Sequence, residues 1–239
     1  MRRLEAKIAL ITGANRGIGR GIAEAFATEG AALTLAARDA RLLSETAEYL
    51  RKSGADVLAV PADVTDEKQV KEVFRQAMDR FGRLDILVNN AGTFAGYAPI
   101  DEASLESWDW IMAVNLRGPF LCTREAFRIM KLQRAGRIIN IGSIAAQRVR
   151  PNSAAYSTTK HGLWGLTQVT ALEGRDHGIA CGILHPGNVM VEKRAGDPEP
   201  MLSPEDIARA AVAMAELPPH VNVLEATMLH VEQPFLGRG

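Results

Sequence analysis

Short apolar runs alternate with longer amphipathic stretches along most of this 239-residue chain, and no other feature constrains its fold as strongly. The short runs are apolar nearly throughout, as is typical of strands that are covered on both faces of a sheet. Strands that alternate with helices predict a parallel sheet with right-handed crossover connections. The predicted strands are Lys7–Thr12, Ala32–Ala37, Asp56–Val60, Leu84–Asn89, Gly136–Gly142 and Ile179–His185, with a weaker one near Val223–Val231.

Six amphipathic stretches lie between or after these strands and predict helices on both faces of the sheet. No repeat, low-complexity segment or dividing linker is visible, so we expect residues 1–239 to form one doubly wound α/β domain of about seven strands. The irregular stretch Glu192–Pro204 predicts a loop that ends in a helix N-cap at Ser203, with Asp206 following. The predicted helices are Ile18–Glu29, Ala40–Ser53, Glu67–Phe81, Leu105–Gln133, Ala155–Gly174 and Pro204–Leu217.

The charge balance argues against several classes of protein. The chain has 28 Lys+Arg against 28 Asp+Glu, so we expect no nucleic-acid partner bound through bulk charge. With 47% hydrophobic residues, the composition also argues against intrinsic disorder. No stretch approaches about 18 consecutive apolar residues, and no secretory signal is visible at the amino terminus. We therefore expect no membrane span and no membrane partner.

The two cysteines, Cys122 and Cys181, lie far apart in the sequence, and neither belongs to a CxxC motif. We expect neither a disulfide framework nor a zinc site, and no HExxH motif suggests another metal. Free thiols fit a reducing compartment, so the predicted location is the cytoplasm.

A glycine-rich turn directly follows the first predicted strand. The segment Thr12–Gly19, TGANRGIG, has glycines at positions 13, 17 and 19 and leads into the first predicted helix. Glycine permits a tight turn and a close approach of the backbone, and the N–H groups at the start of a helix attract phosphate oxygens. The spacing therefore indicates a site for the pyrophosphate of a dinucleotide. The alternative is a tight strand–helix connection without a ligand.

Several further motifs occur in order, most of them at the ends of predicted strands. Together with the GxxxGxG turn, they make the chain from Leu4 to Pro186 resemble the short-chain dehydrogenase/reductase family, including its NADP-preferring 3-oxoacyl-carrier-protein reductases. The motifs are Asp63-Val64 after the third strand, Asn89-Asn90-Ala91-Gly92 at the fourth, Asn115 in VNLRG, Ser143 in INIGS, Tyr156 and Lys160 in YSTTK, and Pro186-Gly187 after the sixth.

The resemblance implies a Rossmann-type fold, a nicotinamide cofactor and a small-molecule carbonyl or alcohol substrate. It also implies a homodimer or homotetramer built on the long helices that contain Asn115 and Tyr156. The residues expected to bind the cofactor are Gly13, Asn15, Arg16, Gly17, Ile18, Gly19, Arg38, Asp63, Val64, Asn90, Ala91, Gly92, Tyr156, Lys160, Pro186, Gly187 and Val189.

The residues after the second strand bear on the choice between NAD and NADP. NAD-selective dehydrogenases place an acid there, which accepts hydrogen bonds from the ribose hydroxyls and would repel a 2′-phosphate. Here Ala37 takes the place of the acid and Arg38 follows it. Arg16, in the glycine turn, is a second guanidinium that could hold a phosphate. We therefore expect NADP(H) rather than NAD(H). The alternative is that Arg38 pairs with Asp39 or with solvent and that Arg16 is a surface residue.

Tyr156 and Lys160 stand four residues apart on a predicted helix and so share one face. A phenol with a pKa of about 10 exchanges protons poorly near neutrality, and a neighbouring ammonium lowers that pKa. The resemblance assigns Tyr156 as general acid in carbonyl reduction and general base in alcohol oxidation, and Lys160 as its partner and the holder of the nicotinamide ribose. It assigns Ser143 to polarise the carbonyl, and Asn115 to support a water in a proton relay to Lys160.

Three features leave alternatives open. The family motif PGxVxT or PGxIxT is here PGNVMV, Pro186–Val191, so Val189 still offers its backbone but no hydroxyl follows it. Arg148 and Arg150 either meet an acidic carrier such as phosphopantetheine or form an exposed basic loop. The tail QPFLGRG departs from the family pattern, and packing on a neighbouring subunit is one option for it.

A catalytically weak NADP(H)-binding sensor or scaffold of the same fold is the alternative to an enzyme.

Overall fold

The computed structural model describes residues 2–94, 97–191 and 199–235. Seven parallel strands form one sheet in the order β3-β2-β1-β4-β5-β6-β7. This confirms the predicted Rossmann-type α/β architecture. The strands are β1 (Ile8–Thr12), β2 (Ala32–Ala37), β3 (Val57–Pro61), β4 (Ile86–Asn89), β5 (Gly136–Ile141), β6 (Ile179–Pro186) and β7 (Glu225–Met228).

Helices cover both faces of the sheet, because the central strands are apolar on both sides. Ala9 and Ile11 of β1 pack into one buried cluster with side chains of α1, α2 and α7, whereas Leu10 packs into a second cluster with α3 and α5. The helices are α1 (Gly17–Thr28), α2 (Ala40–Lys52), α3 (Glu67–Phe81), α4 (Leu105–Met112), α5 (Gly118–Gln133), α6 (Ala154–Gly174) and α7 (Pro204–Ala215). None of the helices within the described ranges is long and apolar enough to cross a bilayer.

The strand order reverses at β1, which pairs with β2 on one side and with β4 on the other. Connections that leave β1 and β4 therefore diverge to opposite faces and open a crevice at the carboxyl ends of the strands. Ligands of open α/β sheets bind at such a switch point.

The predicted single helix Leu105–Gln133 is wrong in its middle, where a π-helical segment, Ala113–Arg117, separates α4 from α5. Pro119 lies at the start of α5 and lacks the N–H that would bond to the carbonyl of residue 115 in a regular α-helix. The N–H of Gly118 instead reaches back to the carbonyl of Ala113, five residues away. This widened turn contains Asn115, and π-helical turns often occur at functional sites.

Most other boundaries lie within one or two residues of the predicted ones, but β7 is shorter than Val223–Val231. In the described part of the chain, its ladder pairs with the last four residues of β6, Ile183–Pro186. At α7, Ser203 forms the predicted cap: its hydroxyl accepts the Asp206 N–H at 3.1 Å, and the Asp206 carboxylate accepts the Ser203 N–H at 2.9 Å. Positions 192–198 of the predicted loop and 236–239 of the tail lie outside the described residues.

Candidate active site

A crevice of about 790 Å³ opens at the carboxyl ends of the strands. Every residue that the sequence predicts to bind the cofactor lines it, and so does Ser143. Asn115 does not line it and lies buried behind the wall. Within the described segments, no group of three or more His, Cys, Asp or Glu side chains is arranged to hold a metal.

The glycine turn after β1 is held against the segment that follows β4. The Asn90 amide donates to the carbonyl oxygens of Thr12 (2.9 Å) and Gly13 (3.1 Å). The Thr12 hydroxyl in turn accepts the N–H groups of Asn90 and Ala91, each at 3.1 Å. Sequence reasoning did not single out Thr12, although its position at the end of β1 was the available signal.

The turn has the shape that a dinucleotide needs. Gly13 adopts φ +65, a conformation that strains side-chain-bearing residues, and a Cβ at Gly19 would collide with the Gly13 carbonyl oxygen. The N-cap residue of α1, Arg16, makes no side-chain cap bond, so its side chain does not cover the first N–H groups of α1. A pyrophosphate would fit this bare helix terminus.

Arg38 lies at the far end of the crevice, beside β2. Its guanidinium stacks on the Trp110 ring at 4.7 Å from the centroid and stands 3.7 Å from the Asp63 carboxylate. Asp39 and Arg38 form no ion pair in the described structure. The Asp39 carboxylate instead caps α2 by accepting the Leu42 N–H at 3.0 Å. Trp110, from α4, orients the Arg38 side chain beside the crevice, and no sequence motif indicated this contact.

Tyr156 and Lys160 project from α6 into the other end of the crevice, as their spacing predicts. The Lys160 Nζ atom lies 5.6 Å from the centroid of the Tyr156 ring and donates to the Ile141 carbonyl at 3.0 Å. Burial lowers the pKa of Lys160 to about 8, because desolvation disfavours its charged form. Ser143 follows β5 and begins a 3₁₀ turn, Ile144–Ala146, where its hydroxyl accepts the Ala145 N–H at 3.2 Å.

Asn115 contacts the backbone rather than another predicted catalytic residue. Its side-chain oxygen accepts the Thr93 N–H and its amide donates to the Thr93 carbonyl, both at 2.7 Å. The amide also approaches the Thr159 hydroxyl at 3.4 Å. Asn115 therefore holds the segment after Gly92, and its water relay to Lys160 stays a prediction.

His185 supports Ser143 from inside the sheet, and no sequence pattern indicated this. Its Nδ1 atom lies 2.9 Å from the Ser143 carbonyl oxygen, and its Nε2 atom lies 3.4 Å from the Glu225 carboxylate. Desolvation lowers the pKa of this fully buried imidazole, which favours the neutral ring. His185 of β6 thus holds the backbone of Ser143 in place.

The turn after β6 is braced by the tail of the same chain. The buried Gln233 side chain accepts the Asn188 N–H at 3.0 Å, next to Gly187 and Val189 in the crevice wall. A short parallel bridge joins Val189 to Leu202: the Asn188 carbonyl accepts the Leu202 N–H, and the Met190 N–H donates to the Leu202 carbonyl. The bridge therefore uses neither the N–H nor the carbonyl of Val189. No local motif could reveal Gln233, which acts 45 residues away in sequence.

The sequence profile of the short chain dehydrogenase family matches residues 7–199. The uncharacterized oxidoreductase YxjF of Bacillus subtilis is 42% identical over 186 residues, covering 78% of this chain and 72% of that protein. A 3-oxoacyl-[acyl-carrier-protein] reductase of a Synechocystis strain is 34% identical over 87% of this chain and 85% of its own length. The crystal structure of a metagenomic short-chain oxidoreductase in complex with NADP superimposes with a TM-score of 0.85 at 30% identity, covering 95% of this chain and 98% of that one. The chain described here thus belongs to the short-chain dehydrogenase/reductase family of oxidoreductases, which bind nicotinamide cofactors.

Proposed function

We propose that the protein is an NADP(H)-dependent oxidoreductase that reduces a ketone or an aldehyde, or oxidises the corresponding alcohol. The observation that carries this proposal is the buried Lys160 ammonium beside Tyr156, in the same crevice as the glycine turn. A phenol, an ammonium and a serine hydroxyl at one end of a dinucleotide-sized crevice match what carbonyl reduction requires.

Each of the three side chains has a separate role in this proposal. Tyr156 gives its phenol proton to the substrate oxygen, and Ser143 orients and polarises the carbonyl. An ammonium has three donors, of which Ile141 takes one, so Lys160 has two for the phenol oxygen and a ribose hydroxyl. Its positive charge stabilises the phenolate that remains after proton transfer. When bound, the reduced cofactor supplies the hydride.

We infer NADP(H) as the preferred cofactor from the cation at the end of β2. Asp39 is occupied as the cap of α2, and Arg38 is held over Trp110 with its N–H groups 3.7 Å from Asp63, too far for a good hydrogen bond. A 2′-phosphate would find a fixed, incompletely paired guanidinium there. The NADP complex of the metagenomic relative supports this inference.

The decisive experiment measures NADPH oxidation against a panel of ketones and aldehydes. We expect Tyr156→Phe to lower kcat/KM at least a hundredfold while NADPH still binds, because only the proton donor is lost. Tyr49→Phe, at an exposed position of α2, is the matched control and keeps the wild-type rate.

Wild-type rates in Tyr156→Phe would refute the proton-donor role. A wild-type protein that binds NADPH but turns over no carbonyl would favour the sensor or scaffold function. A 3-oxoacyl thioester belongs in the panel, because the Synechocystis relative carries that activity in its name.

We also propose a homodimer or homotetramer in a reducing compartment such as the cytoplasm. Exposed apolar side chains on α5 and α6, namely Phe120, Val169 and Leu172, lie on the helices that would form the interface. Both cysteines are buried free thiols, and burial raises their pKa to about 12, which keeps them unreactive. Light scattering should give two or four times the chain mass, and a monomer at micromolar concentration would contradict the oligomer.

A further inference from the structure

Among the described residues, the side chains that line the catalytic end of the crevice include cations and no carboxylate. Arg148, Arg150 and Lys160 line this end, whereas the lining acids Asp39 and Asp63 belong to the Arg38 end. Arg150 is neutralised by Glu199 at 3.1 Å, and the same carboxylate accepts the Asn188 amide at 2.6 Å. Lys160 is used by the proposed chemistry. Of the described cations that line this end, Arg148 is the one left over.

A comparison inside the molecule shows what is unusual about Arg148. Five arginines of the described chain stack on an aromatic ring, which orients the guanidinium and leaves its in-plane N–H groups directed sideways. In four of them a carboxylate stands beside those N–H groups, in the pairs Arg20–Glu24, Arg38–Asp63, Arg80–Asp56 and Arg124–Glu67.

The fifth, Arg148, stacks on Phe235 with its carbon centre 5.3 Å from the ring centroid. No carboxylate of the described residues lies within ion-pair distance of it. The exposed Arg148 belongs to the loop that continues from Ser143, and its backbone N–H bonds to the Ile144 carbonyl at 2.8 Å. The guanidinium is therefore oriented by the Phe235 ring on the loop that carries Ser143, and no carboxylate of the described residues pairs with its N–H groups.

We propose that Arg148 binds an anionic group, a carboxylate or a phosphate, on the carbonyl substrate. This inference rests on the proposed function and specifies its substrate class: small carbonyl compounds that carry a negative charge at the end remote from the reacting carbon. A planar guanidinium accepts either anion through two parallel hydrogen bonds, so the contact fixes orientation as well as charge. Phe235 holds the guanidinium in place and shields one of its faces.

The test compares charged and neutral forms of the same substrate. NADPH oxidation is measured with linear keto acids that have the carbonyl at carbon 2, 3, 4 or 5, each beside its methyl ester, and with dihydroxyacetone phosphate beside dihydroxyacetone. For at least one pair we expect kcat/KM to be ten times higher for the charged form. Arg148→Gln should lower this charged-to-neutral ratio at least tenfold, mainly through KM. Arg175→Gln, at an exposed position after α6, is the control and should preserve the ratio.

A preference for keto acids identifies a carboxylate as the ligand, and a preference for the triose phosphate identifies a phosphate. A wild-type ratio near one in every pair, or an unchanged ratio in Arg148→Gln, overturns the inference while leaving the proposed reductase intact. Should the protein oxidise NADPH neither with these carbonyls nor with any member of the ketone and aldehyde panel above, the proposed function fails. Calorimetric titration of the same anions then decides the inference, since tenfold weaker binding to Arg148→Gln supports it and equal binding overturns it.

Discussion

Lys160 holds a charge that the surrounding protein disfavours. The side chain is 7% exposed, and burial brings its pKa from 10.5 down to about 8. One carbonyl contact, to Ile141, compensates for only part of the lost hydration. The proposed chemistry needs Lys160 as a cation, and keeping this ammonium buried lowers the stability of the folded protein. Such destabilised charges are typical of functional sites.

This cost predicts how stability depends on pH. Between pH 8 and 10.5 the unfolded chain keeps the Lys160 proton while the folded protein has released it, so stability rises with pH in this window. Below pH 8 the full penalty is present, and it amounts to about 3 kcal/mol at most. We expect the protein with Lys160 to gain up to that amount relative to Lys160→Met as the pH rises from 8 to 10.5.

Urea denaturation at several pH values measures this difference. Both proteins should carry Tyr156→Phe, so that titration of the phenol does not enter the comparison. A difference that stays constant over this range would show that Lys160 retains its ordinary pKa.

Arg38 is the residue that we expect to decide the choice of cofactor. Arg38→Asp places a carboxylate where a 2′-phosphate would bind and where an acid can accept hydrogen bonds from ribose hydroxyls. We expect the NADPH-to-NADH ratio of kcat/KM to fall at least a hundredfold. Arg41→Asp, exposed on the first turn of α2, is the control for the change of charge alone. An unchanged ratio would remove Arg38 from the phosphate site.

At the scale of the elements, the sequence predicted the strands and their chemistry-bearing ends well. Buried parallel strands are apolar in long runs, and the polar residues that follow them, such as Asn90 and Ser143, mark where each strand ends. The π-helical segment was not predicted, because the helical pattern continues through it, although Pro119 was the available signal. Asn115 fits within an ordinary helical pattern, and its two bonds to Thr93, 22 residues earlier, are a tertiary contact that no local pattern indicates.

We therefore expect Asn115 to stabilise the fold as well as the site. Asn115→Leu removes both side-chain partners of the half-buried Thr93 backbone, which should lower the free energy of unfolding by about 1–3 kcal/mol. It should also weaken NADPH binding, since the segment from Asn90 to Thr93 lines the crevice. Asn222→Leu is the matched control: its amide makes one bond, to the Cys181 carbonyl at 2.7 Å from an exposed position.

The Asn222→Leu control should cost about 1 kcal/mol and leave NADPH binding unchanged. Denaturant titration and fluorescence titration with NADPH give the two readouts. Equal losses of stability in the two variants would mean that the two hydrogen bonds between Asn115 and Thr93 stabilise the fold no more than the single bond of Asn222 does.

At the scale of the whole molecule, the sequence left the carboxyl-terminal tail unexplained. Local patterns predict helices and strands because their signals repeat over a few residues. Gln233 contacts Asn188 and Phe235 contacts Arg148, and each contact joins two segments that are far apart in sequence. Such isolated contacts leave no repeating pattern in the sequence, so they could not be predicted from it. The described part of the tail, up to Phe235, contacts its own chain beside the catalytic end of the crevice, and the packing of the tail on a neighbouring subunit stays a prediction.

Gln233 gives this arrangement its most direct test. Gln233→Leu removes the acceptor of the Asn188 N–H, in a turn that lines the crevice, and leaves a buried donor unpaired. We expect a loss of about 1–3 kcal/mol in stability and faster hydrogen exchange at the Asn188 amide. NADPH binding should weaken at the same time, because the turn from Gly187 to Val189 lines the crevice. Val231→Ser, at a 95% exposed position of the same tail, should change none of these quantities. Unaltered exchange at Asn188 in Gln233→Leu would mean that the tail does not brace the turn in solution.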